Sequence, residues 1–198
     1  MSTPHNQQII LTDVDGVLLD WATPFYDWMR EKGYQAHYEG APKHWDLSDL
    51  YQIDEEHTAR LCKEFNESPA LSSLKPFRHA ADYVQALSHE GYRFVAVTSY
   101  GTNSDALCRR FENLTNVFGD VFDDVISLPL GSSKVPALTK LSAMYPGAFW
   151  IEDHKQNVDD GIKLGLRGIL VNHEHNADYI GDAIRVGDWS EIYDYMGI

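Results

Sequence analysis

An apolar run of β-forming residues, Ile9-Ile10-Leu11-Thr12, ends abruptly in Asp13-Val14-Asp15-Gly16. A strand buried on both faces reads as continuous apolar sequence. It turns polar where the chain emerges at the carboxyl edge of a parallel sheet, the edge on which open α/β folds assemble their sites. Two carboxylates two residues apart are therefore expected at a site. Asp13 at the strand tip can attack an electrophile, Asp15 can reach the leaving group, and Gly16 lets the backbone bend. Asp and Gly are also ordinary turn formers, so this pattern needs support from the rest of the chain.

Further β-type runs recur at Tyr92 to Thr98, Val125 to Leu128, Ala148 to Ile151 and Gly168 to Val171. Between them lie segments with helical spacing. Phe77, Ala80, Ala81, Val84 and Leu87 form one stripe, closed by Gly91, and similar patterns cover Thr102 to Leu114, Val135 to Met144, Lys155 to Leu164 and Ser190 to Met196. Strands alternating with helices imply parallel pairing through right-handed crossovers, hence an α/β fold with a doubly wound, Rossmann-like parallel sheet. The segment from Trp21 to Lys75 is far longer than a loop and reads as a small helical cap inserted after the first strand. Its helices are expected over Trp21 to Lys32 and Glu55 to Phe65. The domains expected are thus a core of residues 1–20 and 76–198 and a cap of residues 21–75.

A chain of 198 residues with 43% hydrophobic content can bury a core without disulfides or structural metals. Cys62 and Cys108 stand apart with no metal-ligand spacing, as expected of reduced thiols, and no apolar run reaches membrane-spanning length. The first eight residues are polar, and a cytoplasmic protein is the expectation. The net charge of −14 excludes a broad basic face for duplex nucleic acid or an anionic membrane. A homodimer is left open.

Three further motifs follow in order. Phe94 to Ser99 ends a strand in Thr98-Ser99, Gly131-Ser132-Ser133 precedes Lys134, and Ala148 to Ile151 ends in Glu152-Asp153. With Asp13-Val14-Asp15-Gly16-Val17 at its head, this series resembles the haloacid dehalogenase superfamily, whose first motif reads D-x-D-G-[TV]. Within it, the sequence around Asp13 to Trp21, the segment Trp45-Asp46-Leu47, the entry Leu74-Lys75-Pro76-Phe77 and the Thr98-Ser99 pair resemble the 5′(3′)-deoxyribonucleotidase-like branch. The resemblance implies a phosphomonoesterase acting through an aspartyl-phosphate on Asp13, with Asp15 as general acid and then base. Thr98 and Ser99 would bind phosphoryl oxygens, and Lys134 would neutralise charge. So many carboxylates would repel a phosphate without a hard cation, and Mg²⁺ is expected. By resemblance its ligands are the Asp13 side chain, the Asp15 carbonyl and the Asp153 side chain, with Glu152 orienting them. Asn157 stands where the family usually has Asp, which brings Asp159 and Asp160 in as alternative ligands.

Eight aromatic residues between Trp21 and Tyr51 could stack on a base, with Phe25 and Trp45 as the candidates for substrate binding, although a small cap also needs aromatics for its own core. A nucleoside monophosphate is the expected substrate; a sugar phosphate, or a catalytically weak nucleotide binder, are the alternatives. His173 and His175 could suggest a transition metal, but after an edge strand such a pair is expected on a solvated loop. His154, beside Asp153, is the histidine expected to approach the site.

Overall fold

A computed structural model of the protein describes residues 8–38 and 46–197; Trp45 lies outside them. Six strands form one parallel sheet: β1 (Gln8–Thr12), β2 (Tyr92–Thr98), β3 (Phe122–Ser127), β4 (Phe149–Glu152), β5 (Arg167–Val171) and β6 (Ile184–Val186), in spatial order β3-β2-β1-β4-β5-β6. The order reverses at β1, so β1 lies between β2 and β4, with Leu11 opposite both Val95 and Trp150. The carboxyl ends of these three strands converge where the sheet direction of winding changes, the location at which open α/β sheets bind ligands.

The period-2 alternation of the strands divides the core into two layers. Ile10, Phe94, Ala96, Ile151 and Ile169 face one side, against the helices α4 (Ala80–His89), α5 (Ser104–Phe118) and α8 (Trp189–Met196). Leu11, Val95, Val97, Trp150 and Leu170 face the other, against α6 (Val135–Met144) and α7 (Lys155–Lys163). Both faces are covered, which is why these strands lack polar alternation. Trp150 allows only a glycine above it on α7: a Cβ on Gly161 would lie 2.4 Å from the indole.

Between β1 and β2 lie α1 (Ala22–Glu31), α2 (Leu47–Tyr51), α3 (Glu55–Asn66) and a 3-10 turn at Pro69–Ser73. Asp46 and Asp54 cap α2 and α3, accepting from the N–H groups of Asp49 and His57. The chain leaves the core through Leu18-Leu19-Asp20 and returns through Lys75-Pro76-Phe77. These two stretches pair antiparallel at Leu19 and Pro76, with Asp20 N–H on the Lys75 carbonyl (2.9 Å) and Phe77 N–H on the Leu18 carbonyl (2.8 Å). Among the described residues no helix is long and apolar enough to cross a membrane.

Candidate active site

β1 does not stop at Thr12 as a hydrogen-bonding unit: Asp13 N–H still donates to the Ile151 carbonyl at 2.8 Å, which fixes the tip of β1 against β4. The chain then turns tightly, with Leu18 and Leu19 N–H groups returning to the Val14 carbonyl and Gly16 at φ +79°. That left-handed value suits glycine. Space does as well, because a Cβ at Gly16 would come within 2.5 Å of Asp153 Oδ2.

Asp13, Asp15, Thr98, Ser99, Lys134 and Asp153 all line one cavity of about 450 Å³ at the carboxyl edge of the sheet. Lys134, at the start of α6, is almost fully buried and places Nζ 2.7 Å from Asp13 Oδ1 and 2.9 Å from Glu152 Oε2. Burial works against its charge, but the carboxylates of Asp13 and Glu152 hold the ammonium well above the ordinary lysine range. Asn157 donates from Nδ2 to the other Glu152 oxygen at 3.1 Å. Glu152 thus orients Lys134, and Asn157 orients Glu152. Ser99 Oγ donates to the Ser132 carbonyl at 3.1 Å, tying the end of β2 to the loop that leads to Lys134.

Asp15 has a partner that sequence reading missed. Arg110 on α5 is fully buried, donates from Nη2 to Asp15 Oδ2 at 2.9 Å and lies 2.7 Å from Oδ1. Its guanidinium also sits 4.9 Å from the centre of the Tyr100 ring. Burial raises the Asp15 carboxyl above its usual value, and Arg110 opposes that rise. The signal was present in the spacing: Ala106, Arg110 and Leu114 lie four apart on the helix face that is buried.

Asp13, Glu152 and Asp153 carry carboxylate oxygens within 4.8 Å of one another. Burial pushes both Glu152 and Asp153 up; the Asp13 carboxylate adds to the rise of each, and Glu152 adds to that of Asp153. Four carboxylates, those of Asp13, Asp15, Glu152 and Asp153, face two cations, Lys134 and Arg110. The surplus of two negative charges and the all-oxygen donor set fit a hard divalent cation such as Mg²⁺. Of the alternative ligands, Asp159 accepts from Tyr179 Oη at 2.6 Å away from the cavity lining, whereas Asp160 lines the cavity and lies 3.2 Å from Lys163 Nζ.

Two expectations are corrected. Phe25 is wholly buried and does not face the cavity; it stacks on Trp21 (4.4 Å between centroids) and packs edge-on against Phe65, because the inserted helices use their aromatics as their own core. Trp21 lines the cavity instead, with Leu47 and Cys62 beside it. Its indole N–H donates to Asn66 Oδ1 at 2.8 Å, and Asn66 Nδ2 donates to the Tyr100 carbonyl at 2.9 Å, which joins this wall to the end of β2. His173 and His175 do not lie on a solvated loop. β5 is not an edge strand, since β6 pairs with its outer side, and the segment after β5 turns back over the site. His175 is buried, with Nε2 3.4 Å from Asp153 Oδ2; His173 Nε2 lies 3.9 Å from the same oxygen. Burial pushes the His175 imidazole down to about 4 and lowers that of His173 as well. His154 lines the cavity but is exposed.

Comparison with known proteins places this geometry in context. A hydrolase of the haloacid dehalogenase-like family from Streptococcus pneumoniae is similar in fold, with a TM-score of 0.67, 14% identity, and 96% of this chain and 98% of that one covered. The D,D-heptose 1.7-bisphosphate phosphatase of B. bronchiseptica, complexed with magnesium and phosphate, is similar with a TM-score of 0.62, 12% identity and coverage of 96% and 97%. A putative beta-phosphoglucomutase from Thermotoga maritima gives 0.61, 18%, and 96% and 98%. In sequence, the chain is 31% identical over 163 residues to an uncharacterized 32.4 kDa protein of the Gp30-rIII intergenic region of Enterobacteria phage T4, which takes in 78% of this chain. The match covers 57% of that relative, so the chain spans little more than half its length. Residues 7–198 match the family described as 5' nucleotidase, deoxy (pyrimidine), cytosolic type C protein. Because that match runs through both parts of the core and the helices inserted between them, the chain belongs to this nucleotidase family, built on the haloacid dehalogenase fold.

Proposed function

We propose that the chain is a Mg²⁺-dependent phosphomonoesterase acting on nucleoside monophosphates, deoxyribonucleotides foremost, through an aspartyl-phosphate on Asp13. The observation that carries this reading is the contact of Asp13 with Lys134 in a cavity that Trp21, Leu47 and Cys62 also line. The charged groups suit a phosphate and the apolar ones a flat base.

Asp13 attacks phosphorus, the bond to the ester oxygen breaks, and Asp15 gives that oxygen its proton; Asp15 then takes a proton from the water that hydrolyses the acyl phosphate. Thr98 and Ser99 bind phosphoryl oxygens. Lys134 supplies fixed positive charge rather than acting as a base, as its raised proton affinity requires. Mg²⁺, held by Asp13, the Asp15 carbonyl and Asp153, would offset the charge of the carboxylates and the phosphate. Free Cys62 and Cys108 suit a reducing, cytoplasmic compartment.

The test is kcat/KM across deoxyribonucleoside monophosphates and sugar phosphates, with Mg²⁺ and after EDTA treatment. Stacking is worth about 1–3 kcal/mol per base, so nucleotides are expected to lead by at least about tenfold and EDTA to abolish turnover. Equal use of sugar phosphates rejects the nucleotide assignment and leaves the phosphatase standing. Failure to hydrolyse even p-nitrophenyl phosphate favours a nucleotide-binding protein without catalysis.

A further inference from the structure

The segment His173-Glu174-His175-Asn176 makes contacts that the reaction above does not use. The main-chain carbonyl of Asp153, one residue beyond β4, accepts two hydrogen bonds, from Asn176 Nδ2 at 2.8 Å and from His175 Nε2 at 3.0 Å. The Gly16 carbonyl, in the turn after β1, faces His173 Nε2 at 2.7 Å. A carbonyl oxygen only accepts, so each of these Nε2 atoms carries a hydrogen and acts as a donor. With Nε2 so engaged, Nδ1 is the nitrogen of each ring that would have to ligate a metal, and His173, His175 and Asp153 lie close enough together to hold one.

The donors are themselves held. His173 stacks on His175 (5.0 Å, 17° between planes) and on Phe77 (5.0 Å, 30°), so the two imidazoles are part of a column of rings. Asn176, wholly buried, also donates to the Val171 carbonyl at 2.8 Å and accepts from His173 N–H at 3.1 Å, fixing the segment to the end of β5. One rigid unit therefore grips the backbone at two places: the turn that carries Asp13 and Asp15, and the tip that carries Asp153.

Those two places need gripping. Asp13, Glu152 and Asp153 repel one another across a narrow gap, and the approach is so close that Gly16 has no room for a Cβ beside Asp153. The Asp13 N–H bond to the Ile151 carbonyl and the Lys134 bridge between Asp13 and Glu152 hold the strand ends together, but neither holds the Gly16 turn or the Asp153 backbone against that repulsion. We infer that His173 and His175 are positioning residues that clamp the Gly16 and Asp153 carbonyls and so preset the spacing of the divalent-cation cradle. This rests on the metal reading of the site above.

The experiment measures Mn²⁺ binding by calorimetry and by electron paramagnetic resonance on the full chain, without substrate. The variants are His173→Gln, His175→Gln, His173→Asn and His175→Asn. A glutamine amide can reach the carbonyl that Nε2 reaches, whereas the asparagine amide is one methylene short. The Gln variants are expected to bind within about threefold of wild type and the Asn variants at least about tenfold more weakly, as is usual when the partners that orient metal ligands are lost. Unfolding midpoints of the metal-free proteins accompany each titration, so that a general loss of fold is seen as such. Asn variants that bind as tightly as wild type overturn the clamp while leaving the cation site intact. Gln variants as weak as the Asn variants overturn it too, since donor reach would then not matter. A wild-type chain that binds no Mn²⁺ overturns the metal reading itself, and the clamp with it.

Discussion

Arg110 and Asp15 form an ion pair of 2.7 Å between a fully buried guanidinium and a carboxylate that opens on the cavity. Asp15 is the proposed proton donor, so Arg110 acts on the reaction through its orientation. Replacing Arg110 by Met is expected to lower kcat/KM for a deoxyribonucleoside monophosphate at least about tenfold more than for 2,4-dinitrophenyl phosphate. General acid catalysis is worth about 10²–10⁴-fold, and a leaving group that departs without a proton gains little from it. Arg110→Lys should recover part of the difference. Equal losses on both substrates would reduce Arg110 to a structural role.

Asp13→Asn keeps the side-chain volume and removes the anion facing Lys134. Turnover is expected to fall by at least about 10³-fold, with an unchanged far-ultraviolet circular dichroism spectrum. Activity within tenfold of wild type in a contamination-free preparation rejects Asp13 as nucleophile.

Trp21 lines the cavity, as does Tyr100, and is stacked on Phe25 and tethered by Asn66. Trp21→Leu should shrink the ratio of kcat/KM for deoxyribonucleotide over sugar phosphate by about 5- to 150-fold, the span of one base stack, while Trp21→Phe largely preserves it. An unchanged ratio in the Leu variant places the base elsewhere.

His175 gives a pH signature in the metal-free protein. Its imidazole titrates near 4 in the folded chain against 6.5 ordinarily, so the unfolded chain binds more protons between those values. The His175 contribution to stability is full above that window and is lost as pH falls through it, while Glu152 and Asp153, raised by burial, act with the opposite sign in both proteins compared. Urea unfolding from pH 7 to pH 4.5 should show a steeper decline for wild type than for His175→Gln. Parallel declines would mean that the imidazole is not held neutral by the fold.

The strands β1, β2, β4 and β5 were legible because both of their faces are covered, which leaves unbroken apolar runs. β6 was not, for it has three residues, with Arg185 in the middle. Without β6 in view, β5 reads as an edge strand and His173 and His175 read as solvent-facing, whereas β6 covers that side. β3 begins earlier than read because Asp123 and Asp124 interrupt its apolar pattern at the open edge of the sheet. The four motifs were readable because each ends a strand or begins a helix, so that sequence position fixes spatial position. Arg110 sits in mid-helix beside Arg109; its spacing from Ala106 and Leu114 puts it on the buried face, but only the pairing with Asp15, 95 residues away, ties it to the site. The aromatic excess before Tyr51 is real, but composition does not say which ring faces the cavity; Trp21 lines it and Phe25 does not.

The antiparallel pairing of Leu19 with Pro76 makes a neck through which the inserted helices join the core. With both ends already held together there, the closure entropy of the insertion grows slowly, by about 0.6 kcal/mol for each doubling of its length. The catalytic turn lies on the core side of that neck and Trp21 on the other. The inserted helices are thus free to be lengthened, trimmed or exchanged without disturbing the turn that carries Asp13 and Asp15, and the two are open to inheritance on separate schedules.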